Sequence, residues 1–226
     1  MSEISVTSAV STRIPTEYGE FQLAYYNNNV DGKAHLAFYM GELSGKFNGK
    51  LSAGEDILVR LHSECLTGDI FGSLRCDCGE QLNRSLELIA REGRGVLVYL
   101  RQEGRGIGLK QKMHAYNLQD EGHDTVDANL LLGHQADERD YTVAVRILED
   151  LGITSVRLIT NNPHKISSLE AAGIMVNDRV ALDNFANPEN SRYLRTKAQR
   201  MNHILHLSNT TPQATEGDSH KSQPAD

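Results

Sequence analysis

From Gly79 onward the apolar residues switch repeatedly between helical and strand spacing, and this alternation is what most restricts the folds open to the chain. Leu82, Leu86 and Ile89 predict a helix ending near Gly93, Val96 to Leu100 a strand, and Ile107 to Asp120 a second helix stopped near Gly122. Tyr141 to Leu151 predicts a third helix closed by Gly152, and Val156 to Thr160 another strand. Asn162 as N-cap and Pro163 at the first helical position open a short helix running to Gly173, and a last helix is expected over Ser191 to Leu207. Repeated strand and helix implies an α/β fold with a mixed sheet flanked by helices.

The stretch before Gly79 is expected to be β-rich. Glu20 to Tyr26 and Ala34 to Gly41 read as extended segments, with a turn cluster from Asn27 to Gly32 between them. Ile57, Val59 and Leu61 alternate along a strand whose end delivers His62, Ser63, Glu64 and Cys65. Residues 208–226 are rich in Ser, Thr, Pro, Gln and Asp and cannot offset the entropy of ordering themselves, so a disordered tail is expected.

A net charge of −7 argues against a general nucleic-acid binder, which needs a basic face. No basic segment followed by an apolar one opens the chain, and no run of about 18 apolar residues occurs, so neither a membrane partner nor export is expected and the cytoplasm is the expected location. Charge is distributed unevenly. Between Arg60 and Lys112 nine Lys and Arg stand against seven acids, and Arg60, Arg75, Arg101 and Arg105 sit beside turns, where an anionic ligand fits.

Cys65, Cys76 and Cys78 are the only cysteines in 226 residues. Three thiols cannot all pair within the chain, and buried cysteine is often only a small hydrophobe. As ligands, however, three thiolates leave a tetrahedral zinc one free position, the mark of a catalytic site; His62 as a fourth ligand would instead close it. The run Arg101-Gln-Glu-Gly-Arg-Gly-Ile-Gly, between a strand and a helix, could cradle a phosphate on its backbone N–H groups or be a simple tight turn. Thr160-Asn-Asn-Pro-His-Lys165 is a second strand-to-helix junction of that kind, unless Lys165 is merely solvated. In Ala136-Asp-Glu-Arg-Asp-Tyr141 the acids Glu138 and Asp140 suit helix capping, and Asp137 beside Arg139 suits an ionised carboxylate acting as a base. Tyr116 falls on the Ile107 helix, where periodicity alone reads as core.

In their order along the chain these runs, with Ser73-Leu-Arg-Cys-Asp-Cys-Gly-Glu-Gln-Leu and Asp124-Thr-Val-Asp-Ala-Asn, resemble GTP cyclohydrolase II over Ile14 to Leu207. The resemblance implies one catalytic domain over residues 14–207 after a flexible segment 1–13, zinc on Cys65, Cys76 and Cys78, and magnesium with the triphosphate. It implies GTP contacts from Arg60, Leu61, His62, Ser63, Glu64, Gln81, Glu103, Gly104, Arg105, Thr125, Thr160 and Lys165. Asp137 falls on the family's proton acceptor, Arg139 on its nucleophile toward the α-phosphate, and Tyr116 on its catalytic tyrosine. The implied reaction opens the guanine ring of GTP at C8, giving formate, pyrophosphate and 2,5-diamino-6-ribosylamino-4(3H)-pyrimidinone 5′-phosphate at the start of riboflavin synthesis; a homodimer is implied as well. A guanidinium stays protonated in proteins, so electrostatic stabilisation suits Arg139 at least as well as attack. Two other classes compete. A zinc nucleobase deaminase shares the His62-x-Glu64 pattern but needs P-C-x-x-C where this chain has Cys76-x-Cys78. A nucleotide sensor with a closed zinc site would bind GTP and return it intact.

Overall fold

The computed structural model describes residues 3–47, 50–52, 54–183 and 185–205. Its strands are β1 (Val6–Thr16), β2 (Gly19–Asn28), β3 (His35–Met40), β4 (Gly45–Phe47), β5 (Lys50–Ser52), β6 (Ile57–Ser63), β7 (Gly95–Leu100), β8 (Ser155–Ile159) and β9 (Met175–Val180). Its helices are α1 (Leu66–Asp69), α2 (Cys78–Glu92), α3 (Gly108–Asp120), α4 (Thr125–Leu131), α5 (Thr142–Asp150), α6 (Pro163–Ala171) and α7 (Ser191–Arg200). Seven strands join one sheet in the order β1-β2-β3-β7-β6-β8-β9, and β4 and β5 form a separate antiparallel ribbon. The sheet is mixed, as expected: β1, β2, β3 and β7 pair antiparallel, whereas β7, β6, β8 and β9 pair parallel.

The alternation read along β6 holds. Ile57, Val59 and Leu61 pack with Val96, Val98 and Leu100 of β7 and with Ile147 and Leu148 of α5 in one buried cluster. Leu58 and Leu97 join Ile89 of α2 in a second. At about 1.5–3 kcal/mol for each fully buried aliphatic side chain, these two clusters fix the register of the central strands. They also set which way the polar residues of β6 turn. Arg60 and His62 follow Leu58 at a period of two, so they share its face, opposite Leu61.

The chain leaves β6 for β7 on one side and later returns to β8 on the other. The carboxyl ends of β6, β7 and β8 therefore flank a switch in strand order, the place where open α/β sheets bind ligands.

Residues 6–13 are not a flexible segment: β1 pairs with β2 from Val6 to Thr16. Its side chains are nearly all exposed, so no alternation marks it in the sequence, and what orders it is the backbone ladder, with Val6 packed against the core. Helix α7 stops at Arg200, short of the expected Leu207, which lies with the tail 208–226 outside the described residues.

Candidate active site

Cys65 follows β6 directly, and Cys76 and Cys78 stand at the start of α2. All three sulfurs lie within 4.8 Å of one another, with Cys65 and Cys76 3.6 Å apart. Gly68 of α1 makes this possible: a Cβ there would meet Cys76 Sγ at 2.7 Å, Cys78 Cβ at 3.0 Å and Cys65 Sγ at 3.2 Å. His62 is not a fourth ligand. Its Nε2 is turned to Asp69 at 3.0 Å, its ring stacks on Tyr99, and Asp69 also accepts from Tyr99 Oη and Cys65 N. The chemistry of three sulfurs fits a thiophilic divalent cation such as zinc. Hydrogen bonds from Cys76 and Cys78, then the Lys112 ammonium, hold the Cys65 thiol well below its ordinary range, while facing Cys65 pushes Cys76 up to about 11 and raises Cys78 well above its ordinary range. A bound cation would deprotonate all three.

One cavity opens beside this cluster at the ends of β6, β7 and β8. Of the metal, substrate and catalytic residues that the resemblance implies, all but Leu61 and Asp137 line it, whereas Arg75 and Arg101, also expected near an anion, lie outside it and pair with Asp120 and Glu64. The Leu61 side chain lies in the core on the other face, and only its carbonyl turns inward, accepting from Lys165 Nζ at 2.7 Å. Asp137 stands behind Arg139, its carboxylate accepting from Nε at 2.8 Å and from the nearer Nη2. Burial pushes the Asp137 carboxyl up, but the hydrogen bonds and charge of Arg139 outweigh it and hold the group below the usual carboxylate range. Burial works against the Arg139 charge too, yet Tyr141 and Asp137 more than offset it, so the guanidinium is held firmly protonated.

Arg60 donates to Ile159 O at 3.0 Å and Gln81 Oε1 at 2.7 Å. Burial lowers its pKa to about 10. Gln81 in turn donates to Asp77, the residue between Cys76 and Cys78, at 2.6 Å. Arg105 donates to Ala136 O, Thr125 O and Thr125 Oγ1. Lys165 is 5 % exposed, and burial, then Arg60 and Arg139, push its ammonium well below the ordinary lysine range. It is buried, not solvated, while Asn162 caps α6 as expected by accepting from His164 N at 3.0 Å. Thr160 Oγ1 accepts from Asn162 N at 3.0 Å, which fixes the bend between β8 and α6.

Gly104 and Arg105 both have left-handed backbone, φ 64° and 63°, in a 3-10 turn at Glu103–Gly106. For Arg105 that conformation costs about 1 kcal/mol or more, and the guanidinium contacts together with Glu138 N donating to Arg105 O at 3.0 Å maintain it. The run left open as a phosphate cradle or a simple tight turn has one of its backbone N–H groups already occupied. Gly104 N already donates to Glu103 Oε1 at 2.8 Å, so that backbone donor is spent internally.

Tyr116 lines the cavity from α3, its Oη 3.4 Å from Thr67 Oγ1, which lies 3.7 Å from Cys65 Sγ. Burial raises its pKa, keeping the phenol protonated. Sequence reasoning missed Lys112, whose Nζ lies 3.1 Å from Cys65 Sγ and 2.8 Å from Glu103 Oε1. Its position four residues before Tyr116, on the same helix face, was the available signal. It also missed Tyr193, Lys197 and His203, which line the cavity without any motif to mark them, and did not single out Asn161 within the Thr160–Lys165 run.

The GTP cyclohydrolase II family profile matches residues 7–181. The riboflavin biosynthesis protein RibBA of Salinispora tropica is 53% identical over 205 residues, covering 90% of this chain and 49% of that protein. RibBA of Phocaeicola vulgatus is 50% identical over 206 residues, 91% of this chain and 49% of that one. RibBA of Bacillus subtilis is 51% identical over 202 residues, 89% of this chain and 49% of that one. The chain thus spans about half the length of the curated relatives it matches. Among the described residues no helix is long and apolar enough to cross a membrane. With the family profile covering most of the sheet and the whole cysteine cluster, the chain belongs to the GTP cyclohydrolase II family.

Proposed function

We propose that this chain hydrolyses GTP to formate, pyrophosphate and the diaminopyrimidine ribotide that begins riboflavin synthesis, using zinc on Cys65, Cys76 and Cys78 and magnesium with the triphosphate. Its catalytic domain is read as residues 14–207, extended toward Val6 by β1, acting in the cytoplasm as a homodimer. One observation carries this reading: three cations, Arg60 and Lys165 buried and Arg105 partly buried, share a cavity with the sulfur cluster, yet hydrogen-bond only to neutral acceptors. Arg60, Arg105 and Lys165 form no ion pair with a carboxylate among the described residues. An uncompensated buried charge costs several kcal/mol, and a polyphosphate supplies what is missing.

Zinc bound there would supply a Lewis acid that lowers the pKa of water for hydrolysis at C8 of guanine. The chain's own groups account for the rest. Tyr116, protonated and beside the sulfurs, donates a hydrogen bond at the purine side of the cavity. Lys112 holds Glu103 and Cys65 in place from behind. Arg139, kept cationic and clamped by Asp137, stabilises charge at the α-phosphate as pyrophosphate leaves; that clamp favours an electrostatic role over covalent attack. The test is to incubate zinc-replete protein with GTP and magnesium and to quantify formate and pyrophosphate. Stoichiometric formate that disappears on chelation is expected, whereas GTP recovered intact, or ammonia in place of formate, refutes the reading.

A further inference from the structure

The family match ends at residue 181, yet beyond Leu182 five residues of the C-terminal segment, Tyr193, Lys197, Met201, His203 and Leu205, also wall the cavity. They are held there from outside it. Arg200 pairs with Asp124 at 2.5 Å and Asp127 at 2.7 Å, Arg192 donates to Gly122 O, and Ile204 N donates to Asn161 O at 2.9 Å. We propose that α7 with residues 201–205 is a fixed strap completing the polyphosphate subsite, with Lys197 and His203 contacting the phosphates. This rests on the nucleotide reading above.

Two observations support it. Lys197 is 13 % exposed at the side chain and lies over the Tyr193 ring, its Nζ 3.2 Å from Asp77 Oδ1. An ammonium has three donors, and that ion pair uses one. His203 Nε2 is buried and has no partner among the described residues. Burial, then Lys197, Arg139 and Lys165, push its imidazole down to about 3, so it stands neutral among cations. A buried ring nitrogen without a partner is costly, and so is a set of like charges around it. An anion between Lys197, Arg139 and Lys165 relieves the repulsion, and an oxygen within reach of His203 Nε2 relieves the orphan.

The experiment measures binding of inorganic tripolyphosphate to the full chain by calorimetry, alongside KM and kcat for GTP. Lys197→Met and His203→Phe are each expected to weaken tripolyphosphate binding about 10-fold, the scale of one charge-assisted contact, and Lys197→Arg to restore most of it. Arg200→Ala frees the strap without altering a cavity-lining side chain and is expected to raise KM while sparing kcat; thermal unfolding confirms that each variant is folded. Tripolyphosphate affinity within twofold of the parent in both Lys197→Met and His203→Phe overturns the proposal, as does a parent protein that does not bind tripolyphosphate. If the parent binds tripolyphosphate strap-dependently yet releases no formate from GTP, the reaction assignment fails and the strap stands.

Discussion

Replacing Gly68 with alanine is a one-carbon perturbation aimed at the sulfur cluster and nothing else. The new Cβ would sit 2.7 Å from Cys76 Sγ, whereas nonbonded carbon contacts settle at about 3.5 Å or more, so the sulfur or the helix must yield by about 0.8 Å. Neither has easy room. Gly68 O is itself 2.5 Å from where a Cβ on Gly79 would stand, so α1 and the start of α2 are already in close approach. Overpacking of this kind costs about 1–3 kcal/mol of stability. Its effect on metal is expected to be larger relative to tolerance, because metal–ligand distances hold to about 0.2 Å. Gly68→Ala should therefore lose about 10- to 100-fold in zinc affinity, the range seen when support around metal ligands is disturbed. Metal content after dialysis against a graded chelator measures this, and thermal unfolding of the metal-free protein separates the folding cost. Wild-type zinc affinity in a folded Gly68→Ala variant would refute the claim that the cluster is built to hold one ion.

Three further outcomes follow from the site. Tyr116→Phe should lower the rate of formate release by about 100-fold or more with little change in KM, as loss of a positioned proton donor does. Asp137→Asn should destabilise the protein by about 3 kcal/mol at neutral pH, since it leaves Arg139 buried and unpaired. Because the folded Asp137 carboxyl titrates below its ordinary 3.8, its contribution is fully present above that value and is lost as pH falls through the lower folded one; denaturant midpoints of parent and variant should stay equally far apart from about pH 7 to 5 and converge only below about pH 4. Lys165→Met should have the opposite sign without nucleotide: removing a desolvated ammonium raises the melting temperature by a few degrees while GTP turnover collapses, and an unchanged KM for GTP would remove Lys165 from the ligand site.

The central strands β6, β7 and β8 were legible because they are buried on both faces, and the helices around them carry their own stop signals, whereas the exposed edge strand β9 was missed. Gly93, Gly122, Gly152 and the Asn162-Pro163 pair bracket α2, α3, α5 and the start of α6 within a residue or two of their observed ends. The edge strand β1 was not legible, because a strand exposed on both sides has no hydrophobic period to read. For the site, cysteine spacing and the motif order located the cluster. Spacing could not show that His62 turns to Asp69, which depends on how α1 folds back on β6, nor that Lys165 is buried against Leu61 O, which depends on a contact between β6 and the distant α6. The cavity wall formed by α7 was hidden for another reason: Lys197 and Arg200 look like the basic last turn of an ordinary surface helix.

Asp77 sits between two of the three sulfurs and reaches, through Gln81, to Arg60 and, directly, to Lys197. On the proposed reading, a single tripeptide would then join the ion and the nucleotide. Stripping the metal should loosen the grip on the substrate, and filling the nucleotide pocket should slow escape of the ion, a reciprocal coupling that makes the two occupancies rise and fall together.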